Sequence, residues 1–264
     1  ELSPLNKNQV QAKKEIKDYL DNHGDYVLLF GITGSGKTRI YIDLIKETIA
    51  QGQQVLYLLP EIALTTQIVD RLMSVFAGNI GVYHSKMSNN QRVELWNAAM
   101  RGKNLILGAR SSLFLPFKDL GLVIIDEEHD PSFKQSDPAP RYNARDTAIY
   151  LANLYSSKVI LGTATPSLET YWNTRQGKYG IVRLLERHGD SELPDIKIVD
   201  LREQYKKGLM RSLFSKELKD MIDLAIEKDE QILIFQNRRG YSPTLQCVVC
   251  DFHAECPNCD VSLT

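Results

Sequence analysis

Eight residues, Gly31-Ile32-Thr33-Gly34-Ser35-Gly36-Lys37-Thr38, fill the pattern G-x-x-x-x-G-K-[ST] and carry the chemistry of a phosphate cradle. Glycines let backbone N–H groups converge on a β-phosphate, and a helix N-terminus behind the loop adds partial positive charge. Lys37 is suited to neutralise β/γ oxygens, and the Thr38 hydroxyl is suited to hold Mg²⁺. An apolar run, Val27–Phe30, precedes the loop; Ile40, Tyr41, Leu44, Ile45, Thr48 and Ile49 follow it at helical spacing. Strand, glycine loop and helix is the context this motif requires, whereas a turn merely rich in small residues needs no such flanks. The expected contacts to a nucleoside triphosphate are Gly31, Thr33, Gly34, Ser35, Gly36, Lys37 and Thr38.

A second apolar run, Leu122–Ile125, ends in Asp126-Glu127-Glu128-His129. Asp126 would hold the metal through its water shell, and Glu127 would polarise a water for attack on the γ-phosphorus. His129 would link this box to Gly162-Thr163-Ala164-Thr165-Pro166-Ser167, where the Thr163 and Thr165 hydroxyls can report loss of the γ-phosphate. Taken singly, a solvated acidic helix start and a Ser/Thr-capped turn explain these two segments as simply. In register with the glycine loop they predict one hydrolytic site, with Lys37, Asp126, Glu127 and His129 as its catalytic members.

Such motifs need a scaffold that brings them to one edge. Apolar runs at Val27–Phe30, Val55–Leu59, Leu105–Leu107, Leu122–Ile125 and Val159–Leu161 have the length and composition of strands. Helix-period segments at Gln67–Phe76, Asn90–Met100 and Ala144–Tyr155 lie between them. This alternation predicts an α/β fold with a mostly parallel sheet covered on both faces and ligands at the strands' carboxyl ends. The 264 residues allow one large or two ordinary domains. A net charge of −1 excludes a global basic field, so any nucleic-acid site must be a local patch. No apolar run reaches membrane-span length and no secretory pattern opens the chain, so a cytoplasmic protein without a membrane partner is expected.

The alternation breaks at the charged segment Glu186–Pro194, which has the composition of a hinge. After it come a strand-like Ile196–Leu201 and an amphipathic helix capped by Ser215, with Leu218, Met221, Ile222, Ala225 and Ile226 on one face. A strand at Ile232–Phe235 then leads into Asn237-Arg238-Arg239-Gly240. One strand–helix–strand unit cannot close its own core, so the expected division is 1–190, 191–246 and a cysteine segment, 247–264. The cysteines form two C-x-x-C pairs, Cys247 with Cys250 and Cys256 with Cys259. In a reducing compartment this clustering favours Zn²⁺ over disulfides, with a redox dithiol as the competitor for either pair. Only five residues separate the pairs, against ~15–20 in a ribbon-type site, so the segment holds one cramped ion or two half-built sites.

A glycine loop, a D-E-x-H box and a T-A-T loop on successive strands resemble the superfamily 2 helicases. Further segments narrow the resemblance to the bacterial replication-restart helicases. These are Leu59-Pro60-Glu61-Ile62-Ala63-Leu64-Thr65, Tyr83-His84-Ser85, Gly108-Ala109-Arg110-Ser111, Phe133-Lys134-Gln135 and Arg141-Tyr142-Asn143-Ala144-Arg145-Asp146, with the Asn237–Gly240 stretch and the cysteine pairs. The resemblance implies a RecA-like P-loop lobe that binds ATP, a partial second RecA-like lobe, and a truncated zinc-binding insertion. It implies a 3′→5′ DNA helicase using ATP, Mg²⁺ and Zn²⁺, with single-stranded and forked DNA, primosome proteins and single-strand-binding proteins as partners.

Under the resemblance, Thr65, His84, Ser85, Arg110 and Ser111 track a nucleic-acid strand. Hydroxyls and cations are apt phosphate donors, although loops of this kind carry polar residues in any case. In the proline-bearing loop 131–142, Phe133, Lys134 and Tyr142 would stack bases and neutralise phosphates, or the two rings would anchor the loop on the core. Gln9 is implied as a reader of the adenine edge, while Asn6-Lys7-Asn8-Gln9 equally fits a capping-box variant. The family's two leading cysteine pairs belong to different zinc ions, each completed by a later pair. The resemblance also puts DNA-binding modules before Glu1 and an arginine finger after Thr264, a residue that contributes about 10³–10⁵ in rate in P-loop enzymes. The chain alone is therefore expected to bind ATP·Mg²⁺ but to turn it over weakly or not at all. Two rival functions share these motifs: a double-stranded DNA translocase that never unwinds, and an ATP-gated scaffold for primosome proteins.

Overall fold

Strands form wherever a short apolar run can be covered on both faces. The computed structural model describes residues 4–63, 66–76, 79–186, 195–210, 214–235 and 250. The chain divides into two units, Glu1–Glu192 and Leu193–Thr264. In the first, the order is α1 (Lys7–Asn22), β1 (Tyr26–Gly31), α2 (Lys37–Ala50), β2 (Gln54–Leu58), α3 (Thr66–Phe76), β3 (Ile80–Tyr83) and α4 (Asn89–Met100). There follow β4 (Leu105–Gly108), β5 (Leu120–Asp126), α5 (Ala144–Tyr155), β6 (Lys158–Thr163), α6 (Leu168–Arg175) and β7 (Gly180–Leu184). The unit is α/β, and its strands pair in parallel as one sheet in the order β3-β4-β2-β5-β6-β1-β7.

Side chains alternate between two cores. Val27, Leu29, Tyr57, Leu107, Ile124 and Ile160 join Ile16, Ile40, Ile45 and Leu72 on one side. Leu28, Leu56, Ile106, Val123 and Leu161 join Leu95, Ala99, Ala148 and Ala152 on the other. Burial on both faces is why these strands read as unbroken apolar runs rather than alternating ones. The two edge strands, β3 and β7, escaped the sequence reading for the complementary reason. Gly81 interrupts the first, and Arg183 of the second is exposed.

Because the sheet is parallel, every loop that follows a strand emerges at the same edge. The strand order then sorts those loops. β5, β6 and β1 are neighbours, with Asp126 opposite Gly162 and Phe30 opposite Thr163. β3 and β4 are neighbours at the far end of the sheet.

In the second unit the described residues contain α7 (Leu201–Lys206) and α8 (Lys216–Glu227). Ser215 caps α8 as expected, its side chain accepting from the Leu218 N–H. Two strand expectations fail. Ile196–Leu201 is not a strand, and Leu201 instead opens a helix behind Asp200, whose side chain accepts from the Arg202 N–H. Ile232–Phe235 is also without strand pairing, and Leu233 is 95% exposed. An apolar run becomes a strand only when a neighbour completes its hydrogen-bond ladder, and none among the described residues does so. Thr65, Cys247, Cys256, Cys259 and the Asn237–Gly240 stretch lie outside the described residues, and Cys250 is exposed. Among the described residues no helix is long and apolar enough to cross a membrane.

Candidate functional site

The glycine loop joins β1 to α2. Gly36 caps the helix in the left-handed region, φ 84°, and a Cβ there would lie 2.3 Å from Gln9 Nε2. Conformation and space both demand glycine at this position. Lys37 is buried, and its Nζ donates to the Gly31 carbonyl at 2.9 Å, folding the side chain back across the loop. Ser35 Oγ is buried with no partner among the described residues. An orphan hydroxyl beside a folded-back lysine at a helix N-terminus fits a phosphate ligand, whose oxygens would satisfy it.

Gln9 serves the loop through the protein itself. Its Oε1 accepts from the Asn6 N–H at 3.0 Å, and its own N–H donates to Asn6 Oδ1 at 2.8 Å, completing the capping box of α1. Nε2 donates to the Ser35 carbonyl at 3.1 Å, which pins α1 to the glycine loop. The carboxamide retains one N–H and one lone pair beyond these bonds, the capacity an adenine contact would use.

Asp126 ends β5 and is held at both oxygens. Oδ1 accepts from the Glu127 N–H at 3.1 Å and from the Tyr41 hydroxyl at 3.3 Å; Oδ2 accepts from the Tyr57 hydroxyl at 3.0 Å. Burial, with the Glu127 charge adding to it, raises the Asp126 carboxyl to about 6 against the pull of Lys37. Burial, then the Asp126 charge, drives both phenols well above their ordinary range and keeps them donors. The Thr38 side chain lies beside the Tyr57 phenol, so one ring stands next to both residues expected to hold Mg²⁺. Gly162 makes room for this arrangement, since a Cβ there would fall 1.6 Å from the Tyr41 hydroxyl. Neither tyrosine was legible as part of the site, because each also fits the apolar periodicity of its own element.

Glu127 adopts a left-handed conformation, φ 49°, unusual for a residue with a side chain. Its Oε1 stands 4.0 Å from Lys37 Nζ and its Oε2 3.7 Å from His129 Nδ1. His129 Nδ1 is 2.7 Å from Thr163 Oγ1, and Nε2 is 3.3 Å from Thr165 Oγ1. Lys37, Asp126, Glu127, His129, Thr163 and Thr165 thus form one connected cluster across β1, β5 and β6.

The remaining acid of the box faces the other way. Glu128 is fully buried and accepts from the Ser167 N–H at 2.8 Å, Ser167 Oγ at 3.0 Å, Thr170 Oγ1 at 2.8 Å and Arg145 Nη1 at 3.2 Å. Burial works against the Arg145 charge, and Asp146 and Glu128 more than offset it. This network ties the acidic box to the first turns of α5 and α6. The sequence carried one signal for it, a charged Arg145 at the buried start of an alanine-faced helix.

Beyond β3 and β4 the surface changes character. His84 is half-buried and Ser85 exposed after β3; Arg110 is half-buried and Ser111 exposed after β4. Arg110 Nη1 donates to the Ser132 and Lys134 carbonyls, at 3.2 Å each. Phe133 is 2% exposed within the core, so the anchoring alternative describes it and the stacking alternative does not. Its ring turns inward because Asp130 caps the short 3₁₀ turn Pro131–Phe133 and closes it onto the sheet. Lys134 Nζ donates to the Arg141 carbonyl at 2.6 Å, and the Gln135 N–H donates to the Tyr142 carbonyl at 2.9 Å, closing loop 131–142 as a strap. Tyr142 is half-buried and meets Phe114 edge to face.

The family profile described as DEAD/DEAH box helicase matches residues 6–173. Replication restart protein PriA of Bacillus subtilis is 41% identical over 263 residues, covering 99% of this chain and 32% of the relative. The protein of the same name from Haemophilus influenzae is 43% identical over 263 residues, covering 98% and 35%. The chain spans about a third of the length of these curated relatives. Among solved structures, RecG bound to a three-way DNA junction aligns with a TM-score of 0.53 at 20% identity, over 73% of this chain and 25% of that one. The DUF1998 helicase MrfA bound to DNA aligns at 0.51 and 19% identity, over 69% and 26%. At such identity the likeness concerns the fold.

Proposed function

Because the chain belongs to the DEAD/DEAH box helicase family, we propose that it is the ATP-binding lobe of a 3′→5′ DNA helicase acting in replication restart. The observation that carries this is the convergence of Lys37, Glu127, His129 and Thr163 at the carboxyl ends of adjoining strands. The loop amides, the Ser35 hydroxyl and Lys37 receive the phosphates. Thr38 and Asp126 would hold Mg²⁺, which would supply neutralisation of the phosphate charge. Glu127 orients a water and takes its proton. His129, between Glu127 and Thr163, senses the γ-phosphate end of the site and passes its state to the T-A-T loop. Glu128 ties that loop to α5 and so to the strap 131–142. Forked and single-stranded DNA, primosome proteins and single-strand-binding proteins are the partners this function requires; the similarity to replication-restart relatives supports them. Zn²⁺ at Cys247, Cys250, Cys256 and Cys259 belongs to the proposal on the strength of the cysteine spacing.

Titration calorimetry of this chain with ATP and Mg²⁺ tests the reading. Binding is expected, and Lys37→Ala should weaken it at least about tenfold, the loss of one charge-assisted phosphate contact. Unchanged affinity in that variant would remove the site from the proposal.

A further inference from the structure

We infer that Tyr41 makes the nucleotide site selective for Mg²⁺ over Ca²⁺ by closing one oxygen of Asp126, while Tyr57 positions the other oxygen without choosing between the ions. The inference rests on the site proposed above and adds which ion it admits and which side chain decides.

A carboxylate offers about four acceptor positions, two on each oxygen. At Asp126 the donors are divided unevenly. Oδ1 accepts from the Glu127 N–H at 3.1 Å and from the Tyr41 hydroxyl at 3.3 Å, so both of its positions are taken. Oδ2, with the Tyr57 hydroxyl at 3.0 Å as its one donor among the described residues, keeps a position for a ligand.

Neither phenol is free to swing away. Both tyrosines are 0% exposed, and their rings meet edge to face with centroids 5.7 Å apart at 76°. Tyr41 comes from α2, behind the glycine loop, and Tyr57 from β2, so two elements fix the clamp. Gly162 is fitted to the Tyr41 hydroxyl. A Cβ there would lie 1.6 Å from that oxygen and 3.2 Å from Asp126 Oδ1. Packing alone would be served by phenylalanine at either position, whereas each hydroxyl spends its proton on the same carboxylate.

The two ions ask different things of a carboxylate. Ca²⁺ takes about six to eight oxygens in flexible geometry and often grips a carboxylate by both oxygens. Mg²⁺ demands near-octahedral geometry and keeps several waters, so one or two carboxylates and the substrate phosphates suffice. A two-oxygen grip needs a free position on Oδ1 as well as Oδ2. The Tyr41 hydroxyl and the Glu127 N–H deny it, and the single contact left on Oδ2 is enough for Mg²⁺.

Titration calorimetry of the 264-residue chain with ADP, in EDTA, in saturating Mg²⁺ and in saturating Ca²⁺, reads the affinity gain that each ion supplies. In the wild-type chain Mg²⁺ should supply the larger gain. Tyr41→Phe keeps the ring and frees Oδ1, and should shrink the Mg²⁺-to-Ca²⁺ ratio of gains by about tenfold, chiefly by raising the Ca²⁺ gain. Gly162→Ala, which pushes the same hydroxyl off Oδ1 from the opposite side, should shrink the ratio likewise. Tyr57→Phe should lower both gains together and leave their ratio within about twofold of wild type. Equal gains in the wild-type chain, or a ratio that survives Tyr41→Phe or Gly162→Ala in a chain that still binds ADP in EDTA, would overturn the selectivity while the nucleotide site stood. A ratio lost equally in Tyr57→Phe would overturn the division between the two phenols. Failure of the wild-type chain to bind ADP in all three conditions would overturn the nucleotide site and the inference together.

Discussion

Behind β5 and β6, Asp126, Glu128 and Thr163 are buried and bonded to other side chains, whereas behind β3 and β4 the polar groups His84, Ser85, Arg110 and Ser111 stand nearer the surface, and Arg110 bonds to backbone. Asp126 has partners on both oxygens and Glu128 has four donors. Arg110, by contrast, reaches two carbonyls of one loop, and Ser111 and Ser85 are exposed. Hydrolysis needs groups fixed before substrate arrives, because preorganised dipoles avoid reorganisation at the moment of reaction. Under the proposed function, a strand that slides past β3 and β4 would need contacts that can be made and released, and exposed donors meet that need.

Variants that remove one group from each half can break or sharpen this contrast. The largest effect is expected at Arg145→Ala, which leaves Glu128 buried without its cation and should cost about 3–5 kcal/mol in urea unfolding. A loss below about 1 kcal/mol would mean that the hydroxyl donors alone satisfy Glu128.

Next comes Asp126. Its carboxyl is raised from 3.8 to about 6 in the folded chain, so the folded state binds the proton more readily than the unfolded one between those values. Stability is then greatest below the lower value and falls as pH rises through the upper one, by about 3 kcal/mol in all. Asp126→Asn should flatten this slope and stabilise the nucleotide-free chain at pH 7, while abolishing the Mg²⁺ dependence of nucleotide binding. Melting curves at pH 4 and pH 7 check both the sign and the size.

Tyr57→Phe is expected to have a smaller effect, about 1–2 kcal/mol from the lost donor to a buried carboxylate. It should also reduce Mg²⁺-dependent nucleotide affinity, because Tyr57 touches Thr38 as well as Asp126. The smallest effect belongs to the other half, where Arg110→Ala should change stability by no more than about 0.5 kcal/mol in the same urea experiment. An Arg110 loss comparable to that of Arg145 would erase the distinction between the two halves.

Much of the fold was legible because its signals are local. The strands β1, β2, β4, β5 and β6 are continuous apolar runs, and α1 and α8 carry their caps in the sequence, Asn6 and Ser215. The misses share a cause. Edge strands β3 and β7 lack the two-sided burial that writes an apolar run, and Ile196–Leu201 has the run without a partner strand among the described residues. Phe133 and Phe114 are alike in composition terms, yet one is core and the other surface. Only the direction in which each short turn closes separates them.

By itself the sequence determined a parallel α/β lobe and a glycine loop at a helix N-terminus, because eight contiguous residues and the period of neighbouring apolar positions are short-range facts. Tertiary structure alone decided that Tyr41 and Tyr57, separated from Asp126 by 85 and 69 residues, would hold its two oxygens. It also decided that Glu128 would face Arg145 while Glu127 faced Lys37 and His129. Strand order and register set those meetings, and a buried polar group takes its character from whichever donors the packing brings within reach.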